Sequence, residues 1–338
     1  MTDDYTDQIY DEPTTEQAYF LTNDYIDQIN EKATTWKAGR NFPLTTSVVY
    51  LKGMLGSKGV GLSLNGPVKS EDPNYSNFQD IPESFDAREQ WTECQTIGHV
   101  RDQGNCGSSW AVATTSALSD RMCIATNGEF NETLSAEELT FCCHYCGFGC
   151  FGGWPILAWY RFKYHGCCTG GDYGSDEGCQ PYRVSPCTVD GQGYNSTCND
   201  QPFERNHKCS RECYGNTTVD YHDDHVYTRD AYHLTFRAIQ KDVLCYGPIA
   251  ASYDVYDDFL SYKSGVYAKT DNATYIGGHA VKLIGWGIDD DTDTPYWLLI
   301  NSWNTEWGNN GTFKIERGTN QCRIDVSTTA GVPFLIEE

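Results

Sequence analysis

All sixteen cysteines of this 338-residue chain lie between Cys94 and Cys322, and none falls in the first 93 residues. That many thiols in one chain of this size marks an oxidising compartment, where they pair into disulfides. Their uneven placement divides the chain into a Cys-free N-terminal segment and a cross-linked body. Six N-x-S/T sequons, at Asn74, Asn131, Asn195, Asn216, Asn272 and Asn310, are consistent with the secretory route. Of these, Asn74, Asn131, Asn195, Asn216 and Asn272 are the candidate glycosylation sites. Residues 1–30 hold eight acids, no Lys or Arg and no apolar h-region, so they do not read as a secretory leader. A leader is expected to have been removed or not written into this sequence. Hydrophobic residues at 39% and aromatics at 14% supply a real core, which excludes wholesale disorder. A net charge of −23 argues against nucleic acid as a partner and would repel an anionic membrane. No stretch approaches the roughly 20 apolar residues of a membrane span. A soluble, acidic, monomeric globular protein is expected, with no cofactor and no metal.

Composition shifts near residue 80. Before it, Thr22 or Asn23 can cap a short helix to Glu31, with Tyr25, Ile26 and Ile29 as its stripe. The Gly-rich stretch from Gly53 to Gly66, followed by Pro67 and the polar run Lys69 to Asp80, reads as an extended, protease-accessible linker. After Ile81, residues 81–165 offer helices at Ser109 to Ala125 and at Ser135 to Cys142. The second opens with a capping box of Ser135 and Glu138. Residues 166–225 form a Gly-, Cys-, Asp- and Asn-rich zone that only cross-links could order. A helix pattern from Asp230 to Cys245 precedes strand-like runs at Gly247 to Val255, His279 to Gly285, Tyr296 to Asn301 and Gly311 to Ile315. No 20–50-residue repeat is visible. The pattern predicts an α+β protein of two lobes, one helical and one mostly β.

The densest chemical signal is Gln103-Gly104-Asn105-Cys106-Gly107-Ser108-Ser109-Trp110. Its small residues let a turn run into a helix, placing side chain 109 in the first turn, where free N–H groups and the dipole favour negative charge. Far downstream, Gly277-Gly278-His279-Ala280 sets an imidazole at the head of a strand, and Asn301-Ser302-Trp303 sets an amide beside indoles at the end of another. A nucleophile at a helix tip, an imidazole and an orienting amide are the parts of an acyl-transfer site. Gln103 would add an N–H to the oxyanion hole, beside the backbone N–H of residue 109. Each feature alone has a structural reading as a cap or a packed polar group; together and in order they point to catalysis.

On these motifs the chain resembles the papain family of cysteine peptidases, and within it the cathepsin B branch, over nearly its whole length. His279 and Asn301 lie farther beyond position 109 than the roughly 130–150 residues usual in that family. The excess matches the Cys-rich zone, which resembles the branch's occluding loop, about residues 179–213. The run Pro82 to Arg88 resembles the start of a mature enzyme, and Thr35 to Phe42 resembles the short propeptide of the branch. The resemblance implies a papain-like two-lobe fold, helical on the left and β-barrel-like on the right, with a propeptide over 1–80 and a peptidase domain over 81–338. It implies a peptide or protein substrate in the groove between the lobes. The chain's own propeptide would be its inhibitor, lying backwards with Met54, Leu55 and Gly56 over position 109. Gly152 and Gly153 would offer strand-like hydrogen bonds to substrate. Pro155, Ala280, Ser252 and Ser327 would line its second subsite, and Trp303 would shield the His279–Asn301 pair. Implied disulfides are Cys94–Cys123, Cys106–Cys150, Cys142–Cys209, Cys143–Cys146, Cys179–Cys213 and Cys187–Cys198; Cys167, Cys168, Cys245 and Cys322 receive no assignment.

Three positions depart from the family. Its nucleophile is Cys, and here Ser109 stands in that place. An alcohol is too basic to rest as the anion of an ion pair with His279, so activity at least ~10³-fold below a thiol form is expected. Two origins stay open: an engineered trap in a zymogen, or a natural non-catalytic homologue that binds peptides. Where the branch has two histidines after the Cys matching Cys187, this chain has Thr188-Val189-Asp190, which disfavours binding a substrate's C-terminal carboxylate. Ser327 replaces an acid in the second subsite, which predicts an apolar preference, and Phe151 before the Gly pair would narrow the cleft. Lysosomal or extracellular residence follows from the resemblance.

Zinc binding at Cys142-Cys143-His144-Tyr145-Cys146 with Cys150, or metal binding at His222-Asp223-Asp224-His225, are rival readings that disulfides and a solvated turn account for better. A structural glycoprotein is the remaining rival. Trp154, Trp159, Trp297, Trp303 and Trp307 are expected in the core.

Overall fold

The computed structural model describes residues 18–61, 66–78, 80–186 and 203–335. In chain order its principal elements are α1 (Asn23–Lys32), β1 (Trp36–Ala38), α2 (Val48–Gly53), β2 (Val68–Lys69), β3 (Phe85–Asp86), α3 (Ala87–Gln90), α4 (Ser109–Ala125), α5 (Ala136–Cys142) and α6 (Pro155–His165). They continue with β4 (Tyr227–Thr228), β5 (Tyr232–Leu234), α7 (Phe236–Tyr246), β6 (Ile249–Tyr256), β7 (Tyr262–Tyr267), β8 (Tyr275–Asp289), β9 (Thr294–Ile300), β10 (Thr312–Glu316), β11 (Thr328–Ala330) and β12 (Pro333–Phe334). No helix among the described residues is long and apolar enough to cross a membrane.

The helical lobe is built on α4, in which every residue from Ser109 to Cys123 is buried. Alanine, serine and threonine dominate it because it runs through the centre and must be approached from all sides. Ala113 meets Ala250 and Ala280 in a small-residue cluster that lets α4 lie directly against β6 and β8. An ion pair between Lys282 on β8 and Asp120 on α4, 2.8 Å apart and buried, pins the same contact.

The β lobe is a sheet of order β1-β7-β10-β9-β8-β6-β11-β5-β2, with β3 added beside β8. Among the described residues it is an open path and does not close, which corrects the barrel-like expectation. Both terminal strands, β1 and β2, come from the N-terminal segment. That segment therefore covers the sheet's two edges, which would otherwise present unpaired backbone groups.

Local chemistry explains most boundaries. Thr22 Oγ1 accepts the Tyr25 N–H to start α1, and Ile26 and Ile29 are its buried stripe. Ser135 Oγ accepts the Glu138 N–H at α5, but the Ser135 N–H donates to Cys168 O, so the box is only half made. The Glu138 carboxylate turns instead to Arg161, Tyr221, His225 and the Cys168 N–H. Burial would raise its pKa, but the hydrogen bond from His225 and the nearby cations bring it down to about 2.

Three expectations fail. The helix pattern from Asp230 to Cys245 splits into β5 and α7. Tyr232, His233 and Leu234 alternate buried and half-buried as a strand between β11 and β2, and the helix begins only at Phe236. The linker reading of Gly53 to Gly66 fails for its described part, since Met54, Ser57 and Val60 are buried. Cross-links alone do not order the Cys-rich zone: buried Glu137 also grips Arg183 and His207, as Glu138 grips Tyr221 and His225. Helix α6, opened by Pro155, carries no side-chain N-cap and was not anticipated.

Disulfides join Cys94–Cys123, Cys106–Cys150, Cys142–Cys209, Cys143–Cys146 and Cys179–Cys213. Cys187–Cys198 lies outside the described residues, as do Asn195 and the segment Thr188-Val189-Asp190. Cys167, Cys168, Cys245 and Cys322 carry free thiols. The sulfurs of the Cys142–Cys150 run are therefore all consumed by disulfides, and His225 is taken by Tyr221 O and Glu138. Asn74, Asn131, Asn216, Asn272 and Asn310 are exposed. Trp159, Trp297, Trp303 and Trp307 are buried, whereas Trp154 is half-exposed.

Candidate active site

Ser109 is the first residue of α4, so it sits where the helix leaves its opening N–H groups without intrahelical acceptors. Its Oγ accepts the backbone N–H of Ala280 at 3.4 Å, across the junction of the two lobes. That bond places it beside His279, the residue preceding Ala280 on β8. The sheet register sets Tyr253 opposite His279 and Ser252 opposite Ala280, fixing the imidazole's height on the strand.

Lys282 pairs with Ile300, so the chain leaving β9 carries Asn301 alongside His279. His279 Nε2 and Asn301 Oδ1 are 2.7 Å apart. An amide oxygen can only accept, so Nε2 carries the proton and Nδ1 holds a lone pair. Nδ1 has no hydrogen-bond partner among the described residues. Trp303 lies 4.6 Å from the imidazole by ring centroids, and Tyr253 meets the ring edge-on at 5.9 Å. Burial pushes the His279 pKa down to about 4, opposed in part by the bond to Asn301. The imidazole is thus a neutral, oriented base with its acceptor nitrogen unused.

Gln103 completes the group. Its Nε2 donates to Met54 O at 2.8 Å and to Cys106 O at 2.7 Å, while its Oε1 accepts from Ser302 Oγ at 2.7 Å. Its backbone carbonyl accepts from Tyr182 OH at 2.9 Å. Every polar atom of this amide is therefore directed. Ser302 and Tyr182 escaped the sequence reading as positioning groups; adjacency to Asn301 was the only signal for the first, and Tyr182 lies in a zone without periodicity. Next to Gln103, burial raises Asp102 to about 6, opposed by the Gly104 N–H and the Asn304 amide.

The N-terminal segment lies directly over this group. A Cβ on Gly56 would fall 1.9 Å from Gly107 O, so the backbones touch and only glycine fits. Leu55 packs on Gly277. The Gly153 N–H donates to Gly56 O and its carbonyl accepts the Lys58 N–H, both at 2.9 Å, with Ser57 and Gly153 paired in the parallel sense. On the other wall the Ser57 N–H donates to Gly278 O at 3.0 Å, and Ser57 Oγ lies 2.8 Å from Ser252 Oγ. The Gly61 N–H reaches Ser327 Oγ at 2.8 Å. Gly152 faces the segment near Gly56, and Pro155 is buried at the start of α6. Phe151 is exposed and meets Phe203 at 5.2 Å, and Phe203 in turn packs on Gly53. Residues 54–61 thus span both lobes by backbone hydrogen bonds, and Met54 O rests on the Gln103 side-chain amide.

Comparison with known proteins places this geometry. A family profile described as papain family cysteine protease matches residues 81–332, and one described as peptidase family C1 propeptide matches residues 21–61. Cathepsin B-like cysteine proteinase 4 of Caenorhabditis elegans is 45% identical over 262 residues, covering 76% of this chain and 77% of that protein. Cathepsin B-like cysteine proteinase 6 of the same organism is 42% identical over 289 residues, covering 84% and 74%. Among solved structures, proCathepsin B S9 from Trypanosoma congolense superposes with a TM-score of 0.78 at 32% identity, covering 94% of this chain and 99% of that one.

Proposed function

Since the chain belongs to the papain family of cysteine peptidases, in its cathepsin B-like branch and with a propeptide attached, we propose that it is an endopeptidase zymogen that is silent as written because Ser109 occupies the nucleophile position. The observation that carries the reading is that Ser109 Oγ accepts the N–H of Ala280, next to the Asn301-held His279, while Gln103 Nε2 donates to the Met54 carbonyl.

With a thiol at 109, His279 Nδ1 takes its proton and the sulfur attacks the scissile carbonyl carbon. The carbonyl oxygen becomes an oxyanion held by the Gln103 Nε2–H and the backbone N–H of residue 109. Collapse expels the amine, which leaves with the proton from His279; water then repeats the sequence on the thioester. Asn301 keeps the imidazole in the required tautomer throughout. With Ser109, no anion rests beside His279, and the orienting group is an amide where serine peptidases use a carboxylate. The hydroxyl is therefore a poor nucleophile here.

Residues 1–80 act as the propeptide and 81–338 as the peptidase domain, with about 179–213 as the occluding-loop-like insertion. Pro155, Ala280, Ser252 and Ser327 give an apolar second subsite, and Thr188-Val189-Asp190 leaves the activity mainly endopeptidic. The protein resides in the lysosome or outside the cell as a monomer. A second reading, a natural homologue that binds peptides without cleaving them, is favoured by Ser109 itself.

The test is a Ser109→Cys chain freed of its propeptide at acidic pH and assayed on a fluorogenic dipeptide amide. Hydrolysis at least ~10³-fold above the Ser109 form is expected. A folded Ser109→Cys protein that cleaves nothing would overturn the peptidase reading in favour of the binder.

A further inference from the structure

At the end of the cleft where residues 57–61 lie, two consecutive non-glycine residues adopt left-handed backbone: Cys322 at φ 50 and Arg323 at φ 62. Side chains disfavour that region, and such residues persist only where their surroundings over-determine them. Arg323 is held by Asp254, to which Nε and Nη2 donate as a two-pronged pair, and by Ser327 Oγ, which donates to its carbonyl at 2.8 Å. Asp254 follows Ser252 by two residues on β6, so both side chains face the cleft from the same side of the strand. Its side chain is 7% exposed and that of Arg323 46% exposed. The buried acid is thus consumed by a guanidinium that stands out at the rim.

Arg323 has N–H groups beyond those on Asp254. Nη1 makes no hydrogen bond among the described residues, and a Cβ on Gly61 would lie 3.0 Å from it. Among the described glycines of the strand occupying the cleft, Gly61 is the one at which a side chain would meet this cation. We propose that Arg323, fixed by Asp254, forms an acid-accepting subsite for the peptide strand that occupies this end of the cleft, so that substrates with Asp or Glu there are selected over basic ones. The assignment rests on the reading of the groove as a peptide cleft. It adjoins, through Ser327, the apolar pocket at Pro155, Ala280, Ser252 and Ser327, and differs from it in sign. Without Arg323, Asp254 would make the same place basic-selective; the pair inverts that choice.

The full chain tests this without any peptide hydrolysis, so failure of the peptidase reading and failure of the subsite are told apart. Gly61→Asp is compared with Gly61→Asn, which has nearly the same shape and tolerates left-handed backbone equally. In a chain of net charge −23 an added acid is generally unfavourable. Here Gly61→Asp is expected to melt about 1–3 °C above Gly61→Asn at low salt, an advantage that high salt erases. In an Asp254→Ser/Arg323→Gly background, which removes the pair together with the backbone strain at position 323, the order is expected to vanish or reverse. An equal or lower melting point for Gly61→Asp in the parent, or an advantage that survives in the double-substituted background, overturns the proposal.

Discussion

The Gln103 side-chain amide donates to the Met54 carbonyl at 2.8 Å, so the propeptide occupies, with one of its own backbone oxygens, the donor proposed for the oxyanion. Because Ser302 and Cys106 fix the rest of that amide, the donor is preorganised and does not reorient when a substrate replaces Met54. In the Ser109→Cys form, Gln103→Ala should lower kcat by about 10²–10³-fold with little change in KM, as loss of a donor used mainly in the transition state requires. Equal effects on kcat and KM would place Gln103 in substrate binding instead.

Gly56 sets the depth of the propeptide strand. Its ideal Cβ position is 1.9 Å from Gly107 O, a clash with backbone that no rotamer relieves. Gly56→Ala should lift residues 54–58 off the cleft while leaving the separately anchored α1 and β1 in place. Amide hydrogen exchange at Ser57, Lys58 and Gly153 should rise by about tenfold or more at constant pH. Unchanged protection there would mean that the strand accommodates a methyl group by shifting sideways.

The parts of this architecture written in short-range pattern were legible in the sequence. Thr22 before a helical stripe, Ser135 three residues before Glu138, and small residues ahead of Trp110 each signal a helix start through local hydrogen bonding and sterics. Gly53 to Gly61 misled because glycine serves two opposite ends, freedom in a linker and close backbone approach in a contact. Only the partner surface, Gly107 and Gly153, distinguishes them. β5 was lost for a related reason: three residues paired between β11 and β2 leave no run long enough to outweigh the helix that follows. Glu138 read as the far member of a capping box and Glu137 drew no reading, yet both are buried anchors for a zone far along the chain. The order of Gln103, Ser109, His279 and Asn301 suggested one site, whereas the Asp254–Arg323 pair joins residues with no motif between them.

Acid should loosen the closed cleft through His279. Its pKa is about 4 in the covered state, against an ordinary value near 6.5 once the strand lifts and water returns. The open state therefore binds more protons between those values, and the stability of closure is full above about pH 6.5 and falls as pH drops toward about 4. Asp102 acts in the opposite sense, since its carboxyl is raised to about 6 by burial and favours the folded state on protonation. The two are separated by comparing the parent with His279→Gln. Opening of residues 54–61, followed as the cleavage rate by an added acid-tolerant protease, should increase from pH 7 to pH 4.5 in the parent and increase less in the variant. Identical profiles would remove His279 as the sensor.

A second anchor lies where Tyr75 of the N-terminal segment inserts beside Asp242 of α7. Tyr75 is 2% exposed, and its hydroxyl donates to Asp242 Oδ2 at 2.9 Å. The same carboxylate accepts from Tyr232 and pairs with Arg121, whose guanidinium also serves the carbonyls of Gly247, Pro248 and Gly331. Burial and the neighbouring Asp242 charge both raise the Tyr75 pKa, so the phenol stays a donor at every working pH. Asp242 keeps two other partners when Tyr75 is changed, so Tyr75→Phe removes one hydrogen bond without stranding a charge. The expected cost is about 1–2 kcal/mol, at the upper range because the acceptor is ionised. Thermal denaturation of the full chain should therefore shift down by a few degrees, whereas Tyr75→Ala, which also empties the buried ring site, should cost about 3–5 kcal/mol. Because these contacts join the N-terminal segment to α4, α7 and β5, the loss should appear as faster release of residues 66–78 to added protease. An unaltered release rate in both variants would show that the segment is held by the pairing of β2 with β5 alone.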